Sequence, residues 1–541
     1  MFRTPKRKIA HILFIACLPL LLTACPPPRS TGNPVIQTKP PQKPDVLNGY
    51  DPLYKDQWYL ENTGQFGGKA GVDINVKGVW NAGYLGTGIH IGVLDSLVDA
   101  GHPDLAPNLP TSNLHNLSGR TACEEAHGTN VAGVIAARDN GLGIQGIAPR
   151  ATLYSYAVTT GRNPDSTYYE YIAAAYTHFS GERSKIAVYN ASLGVGESSY
   201  THPDAGIYAA FASVLREGFN GKGSSLVYAA GNNVFSMATS NNNFLLNHYA
   251  VIAVNSLLKT GTVRSRQGGT HGNNLWLLAP TAAALNDDKY VTTDPRDIGQ
   301  TCGAEGNYWE NFGSTSGATP MVSGVIALVR QKAPRLTWRD VKLLLAESAN
   351  KSYTDPKEPY VVTGKMYSSP GSEQRYSRTA AFGLVDAQAA WTLAANWRPL
   401  PAMKTEEYSS RSAVPLSSLD TLYTSTVSAS GTGISYIESV NILLEIEPPA
   451  KNTPLIWELQ LIAPDGKKAV LYPYDADNKM GSYSYLNAGT EKLHFLANNF
   501  LGSDRVNGRW QLKLKFPTVA GAQTQSPISK IKSWKLTVRG H

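Results

Sequence analysis

Through the middle of the chain, short apolar runs alternate with stretches of helical periodicity. Ile89-His90-Ile91-Gly92-Val93-Leu94-Asp95 is one strand long and ends in a carboxylate. Ala151 to Val158, Lys185 to Asn190 and Ser225 to Ala230 repeat the pattern, with helical spacing over about Ser166 to Phe179 and Ala205 to Glu217 between them. Apolar strands alternating with helices predict an α/β fold, a doubly wound and mostly parallel sheet covered on both faces. Beyond Trp397 the period changes to two. Val440 to Glu445, Trp457 to Ile462, Ala469 to Leu471, Trp510 to Phe516 and Trp534 to Val538 are separated by Pro, Gly and Asn, as in an all-β sandwich. Between the two patterns, Asn311 to Gly324 is rich in glycine and small residues, and there Pro320 is read as opening an apolar helical run from Met321 to Leu328.

The first residues follow another pattern. Arg3, Lys6, Arg7 and Lys8 precede an apolar run from Ile9 to Leu22, which reads as a signal peptide. Its end, Leu22-Thr23-Ala24-Cys25, resembles the bacterial lipobox, in which the cysteine is acylated and becomes the mature N-terminus. Pro26 follows, which implies the outer membrane, on a face the sequence leaves open. The expected organisation is a lipoprotein signal over residues 1–25, a Pro-rich tether over 26–49, an α/β domain over 50–398 and a sandwich over 399–541. The formal charge of +8 is spread along the chain, with no basic block after the first residues and no nucleic-acid motif, so nucleic acid is excluded as a partner. With Cys17 in the signal and Cys25 acylated, Cys123 and Cys302 remain, read as one disulfide of an exported protein or as two free thiols.

Three chemically capable residues stand at element ends, in the order Asp95, His127, Ser316. Each alone is an ordinary turn or cap. Together they have the chain order of the subtilisin triad. Asp95-Ser96 with His102-Pro103-Asp104-Leu105, His127-Gly128-Thr129, Ala229-Ala230-Gly231-Asn232 and Ser314-Thr315-Ser316-Gly317-Ala318-Thr319-Pro320 resemble the subtilisin-like serine peptidases. Gln57-Trp58-Tyr59-Leu60, Val291-Thr292-Thr293-Asp294 and Leu336-Thr337-Trp338-Arg339-Asp340 are similar to the kexin and furin branch, and Asn507-Gly508-Arg509-Trp510 to its P domain.

That resemblance implies a serine endopeptidase acting on polypeptide. Ser316 would be the nucleophile, His127 the general base, Asp95 its partner and Asn232 the oxyanion donor. Ser192, Leu193 and Gly194 would pair with substrate main chain, and Glu197 would favour cleavage after Lys or Arg. It also implies a structural Ca²⁺ site from Asp51, Asp104 and Asn140 with the carbonyls of Ala137, Leu142 and Ile144. Three departures stand out. Ser96 replaces a second Asp, Asn242 replaces a pocket acid, and Ser314 replaces a Gly, which is tolerable unless the backbone there needs positive φ. The segment between Cys25 and Tyr50 is too short for the branch's inhibitory propeptide, so the domain folds unaided or a separate chaperone and inhibitor serves it. A non-catalytic binding or adhesin protein on the same fold is the alternative; the intact set Asp95, His127, Ser316 and Asn232 speaks against it.

Overall fold

The structure is a computed structural model. It describes residues 47, 49–159, 166–177, 180–194, 205–232, 239–264, 269–282, 289–296, 306–411, 413–416, 418–447, 453–455, 457–472, 484–486, 490–518 and 530–541. The signal segment and nearly all of the tether therefore lie outside the described residues, as do Cys25, Glu197 and Cys302. No helix among the described residues is long and apolar enough to cross a membrane.

Seven strands build the central sheet: β1 (His90–Asp95), β2 (Leu114–Asn116), β3 (Thr152–Ala157), β4 (Ile186–Ala191), β5 (Ser225–Ala229), β6 (Val251–Leu258) and β7 (Leu275–Thr281). All pair in parallel, in the order β2-β3-β1-β4-β5-β6-β7. The helices are α1 (Lys77–Asn81), α2 (His127–Ala136), α3 (Ser166–Thr177), α4 (Ser180–Arg183), α5 (Ala205–Gly221), α6 (Ser314–Lys332), α7 (Trp338–Ser348) and α8 (Ala387–Ala395). Strands β4, β5 and β7 are buried at every position, which is why they read as unbroken apolar runs. The chain leaves β1 toward β3 on one side and later toward β4 on the other, so β1 is the switch point of the sheet. Ligand crevices open at the carboxyl end of such a strand, and the last residue of β1 is Asp95.

One expectation is corrected. Helix α6 starts at Ser314, and Pro320 lies inside it rather than opening it. Proline removes one N–H, so the carbonyl four residues back loses its helical donor. Here the carbonyls of the first turn are served from outside the backbone ladder. Thr281 Oγ1 donates to Ser314 O at 2.9 Å, Thr319 Oγ1 to Thr315 O at 2.6 Å, Ser192 Oγ to Ser316 O at 3.1 Å and Tyr290 Oη to Gly317 O at 2.9 Å.

The C-terminal region is a two-layer antiparallel sandwich. One sheet runs Lys404–Ser410, Lys530–Gly540, Ile437–Glu447, Glu491–Ala497, and the other Leu422–Ala429, Gly508–Lys515, Glu458–Ile462, Lys468–Tyr472. Trp457, Trp510 and Trp534 fill the space between them. Residues 44–541 form one compact unit. Polar contacts join the two parts of it: Asn247 Nδ2 donates to His494 O at 2.7 Å, Asn498 Nδ2 to Leu275 O at 2.9 Å and Arg339 Nε to Glu438 at 2.9 Å.

Candidate active site

At the end of β1, Asp95 is wholly buried and its Oδ1 lies 2.7 Å from Nδ1 of His127. The same oxygen accepts the Ser96 amide at 2.8 Å. His127 opens α2, with 32% of its side chain exposed. Ser96 fixes that opening. Its hydroxyl donates to Glu125 O at 2.7 Å and accepts the Gly128 amide at 2.7 Å, holding the chain on both sides of the imidazole. Residue 128 has to be glycine here, because a Cβ would stand 2.1 Å from Ser96 O. Burial works against a charged His127, but the Asp95 charge, the Asp95 hydrogen bond and Glu125 outweigh it, so the imidazole is held above its ordinary 6.5.

Ser316 is half-buried in the first turn of α6, four residues after Phe312, whose ring stands edge-on to His127 at 5.5 Å between centroids. This brings the α6 start to the imidazole, although the Ser316 hydroxyl makes no hydrogen bond among the described residues. Apo sites often leave that bond to form with substrate. Three of the four leading amides of α6 are satisfied: Ser314 N–H by Ala282 O at 2.9 Å, Thr315 N–H by Asn232 Oδ1 at 3.0 Å and Gly317 N–H by Gly313 O at 3.0 Å. Among the described residues the Ser316 N–H has no acceptor. Thr315 also donates its hydroxyl to Asn232 Oδ1 at 2.6 Å, so two donors fix the amide oxygen, and Nδ2 meets no described acceptor. Among the described residues, the Ser316 N–H and Asn232 Nδ2 are thus both without an acceptor. Ser314 has φ of +56°, so the condition set for this substitution fails and a hydroxymethyl sits in glycine's preferred conformation.

Ser192 and Leu193 are buried at the carboxyl end of β4, and Gly194 is exposed beside them. Asn242 is buried in the turn Ser240–Asn242. Cys123 is disulfide-bonded.

Asp51 and Asp104 come together under the loop 137–144. Asp51 Oδ1 accepts the Gly141 amide at 2.7 Å and Asp104 Oδ2 the Ile144 amide at 3.1 Å, while Asp51 Oδ2 and Asp104 Oδ1 are buried with no hydrogen-bond partner among the described residues. Burial raises Asp51 to about 6 and Asp104 to about 7, and each is raised further by a neighbouring acid, Asp139 for Asp51 and Asp51 for Asp104. Asn140 Nδ2 donates to Pro103 O at 3.1 Å. Two orphaned carboxylate oxygens with an amide and main-chain carbonyls nearby are the donor set a hard cation takes, so these residues fit Ca²⁺. Only two of them are acidic, and no cluster of three or more His, Cys, Asp or Glu occurs among the described residues.

Sequence reasoning missed Ser96 as a clamp, Thr315 as the anchor of Asn232, and Glu125, whose carboxylate accepts the Thr159 hydroxyl at 2.8 Å. The one available signal was adjacency: each lies within two residues of a residue already singled out.

The profile of the Subtilase family matches residues 86–374. The Aeromonas extracellular serine protease of Aeromonas sobria is 27% identical over 92% of each chain. Neuroendocrine convertase 2 of Homo sapiens is 27% identical over 91% of this chain and 74% of its own. The crystal structure of the Aeromonas sobria serine protease superposes with a TM-score of 0.74 at 23% identity, over 92% of this chain and 97% of that one. A second structure of that protease, in complex with the chaperone ORF2, gives 0.74 at 24% identity, over 92% and 96%.

Proposed function

Because the chain belongs to the subtilase family and is a serine endopeptidase, we propose that Asp95, His127 and Ser316 are its catalytic triad, with Asn232 and the Ser316 amide as the oxyanion hole. The observation that carries this is that, among the described residues, the Ser316 N–H and Asn232 Nδ2 have no acceptor, while His127 is bound to a buried carboxylate and meets the ring of Phe312 just ahead of α6. Ser316 Oγ attacks the peptide carbonyl as His127 Nε2 takes its proton. Asp95 keeps Nδ1 as the donor nitrogen and stabilises the imidazolium. The carbonyl oxygen, becoming an anion, receives the two free N–H groups. His127 then protonates the leaving amine, and water attacks the acyl-enzyme by the same route in reverse.

A fluorophosphonate probe should label the wild type and not Ser316→Ala, and Asn232→Ala should lower kcat by roughly 10²- to 10³-fold. An unlabelled wild type, or full labelling of Ser316→Ala, ends the reading.

The finer assignments rest on this one. Ser192, Leu193 and Gly194 pair with substrate main chain, and Glu197 draws Lys or Arg to the residue before the cut, with a weaker demand for a second basic residue because Ser96 and Asn242 are uncharged. Cleavage sites in a peptide library that ignore Lys and Arg would overturn that preference. Asp51, Asp104 and Asn140, with the carbonyls of Ala137, Leu142 and Ile144, hold Ca²⁺, which would knit the loop 137–144 to the N-terminal segment. Cys123 pairs with Cys302. Lipid on Cys25 anchors the enzyme at the outer membrane, and incorporation of labelled palmitate that survives Cys25→Ser would refute it. A separate chaperone stands in for the propeptide, a reading supported by the complex of the Aeromonas sobria protease with the chaperone ORF2. Full recovery of activity when the purified chain refolds alone would remove that need.

A further inference from the structure

Pro320 carries no N–H, so the helical donor that would serve Ser316 O is missing, and Ser192 Oγ takes its place at 3.1 Å. The contact continues inward. Asn190 Nδ2 donates to Ser192 Oγ at 3.2 Å, and Ser323 Oγ donates to Asn190 Oδ1 at 2.8 Å. Every bond in this chain points the same way, from Ser323 through Asn190 and Ser192 to the carbonyl of Ser316. Asn190 and Ser323 are wholly buried and Ser192 nearly so, so no water competes for the links. In such surroundings a neutral chain is strongly directional, because leaving any member unpaired carries a full desolvation penalty.

Both ends of the chain lie on α6. Ser316 and Ser323 are seven residues apart, two turns along one face. Its middle lies at the end of β4 and in the segment proposed to pair with substrate. We propose that Asn190 and Ser192 are positioning residues. Their hydrogen-bond chain fixes the Ser316 peptide plane against the substrate-binding segment, so that nucleophile and scissile bond are set in one frame. Main-chain pairing with substrate leaves the Ser192 hydroxyl free for this work. The inference rests on the reading of Ser316 as nucleophile.

Four variants of the full chain test it: Ser192→Ala, Ser192→Thr, Asn190→Asp and the double variant Asn190→Asp/Ser192→Ala. Ser192→Ala should lower kcat by about ten-fold, the kinetic size of one hydrogen bond, with KM changed by less than about two-fold. Ser192→Thr, which keeps the hydroxyl, should restore most of the loss. In Asn190→Asp the carboxylate can only accept, so it draws the Ser192 proton away from Ser316 O and should reproduce the Ser192→Ala loss without a cavity. The double variant should be no slower than either single one, as groups acting in one chain are not additive.

An unchanged kcat in Ser192→Ala, or losses that multiply in the double variant, overturns the proposal. Should the buried carboxylate of Asn190→Asp prevent folding, the Ser192→Ala and Ser192→Thr pair decides alone. Wild-type labelling by a fluorophosphonate separates the two failures: labelled wild type with unmoved kcat sinks only the positioning chain, and unlabelled wild type sinks the nucleophile itself.

Discussion

His127 illustrates how far single residues decide this site. In the proposed triad its imidazole must be neutral to accept the Ser316 proton, yet Asp95 and Glu125 favour the charged form over the penalty of burial. The acid limb of kcat/KM should therefore lie above pH 6.5. Glu125→Gln removes one of the charges holding it there and should move the limb to lower pH, leaving the Asp95 bond intact. A limb unmoved in that variant, or a wild-type limb well below 6.5, would refute this account of the base. Asp95, His127 and Ser316 stand out in the sequence because serine, histidine and aspartate at element ends have few chemical uses in that order. Thr315 and Ser96 do not, because their value comes from partners 83 and 32 positions away, Asn232 and Gly128. Ser314 was flagged as a departure, but only the backbone angle could show that it sits at positive φ.

At the scale of elements, burial made the strands legible only in part, because β6 and β7 are buried along nearly all their length and still were not read from the sequence. Strands β1, β3, β4 and β5 announced themselves within a residue or two of their observed bounds because both faces of the sheet are covered. The strand Lys404–Ser410 went unread, since it is mostly exposed at the rim of its sheet and carries little apolar pattern. Pro320 misled for a related reason. A proline is a good helix opener, but hydroxyls brought in from Ser192, Thr281 and Tyr290 satisfy the first turn and let the helix begin earlier. The loop 137–144 makes a prediction of its own. Asp51 and Asp104 have folded pKa values of about 6 and about 7 against an ordinary 3.8, so without a cation the folded state holds protons that the unfolded state releases. Stability should then fall as pH rises from about 4 to about 7, and Ca²⁺, which needs the ionised carboxylates, should restore it increasingly across the same window. Melting curves in EGTA and in millimolar Ca²⁺ at pH 5 and pH 8 would show it: the Ca²⁺-dependent rise should be on the order of several °C at pH 8 and smaller at pH 5. An equal rise at both values, or one unaffected by Asp104→Asn, would count against the site.

For the whole molecule, the decisive surface is where the sandwich meets the α/β body, because that seam gathers basic side chains in a dry place that disfavours their charged forms. Arg539 of the sandwich lies over the ring of Tyr249 at 4.2 Å and donates to Asn441 Oδ1 at 2.8 Å. Lys342 of α7 lies over Trp276 at 4.0 Å, and His494 shares the Tyr208 hydroxyl at 3.0 Å. Burial, then Arg539, then Lys535 push His494 down to about 4; burial, then Arg539, His494 and Lys342 push His248 well below 6.5. Burial also brings Lys342 down to about 7 against the pull of Glu438. For a base whose folded pKa is depressed, the unfolded chain binds the proton first. The contribution of His494 is thus complete above about pH 6.5 and is lost as pH falls toward 4. That of Lys342 grows as pH rises from about 7 toward 10.5. Both terms favour the joined molecule at higher pH, opposite in sign to the cation-free loop, so they must be measured at fixed saturating Ca²⁺. Under that condition the melting point should drop from pH 7 to pH 5, and His494→Gln, which keeps a hydrogen-bonding amide without the titration, should reduce the drop by on the order of a few °C. If the two proteins lose stability in parallel over that interval, the seam does not sense protons through His494, and the acid sensitivity of the enzyme must be sought in its carboxylates instead.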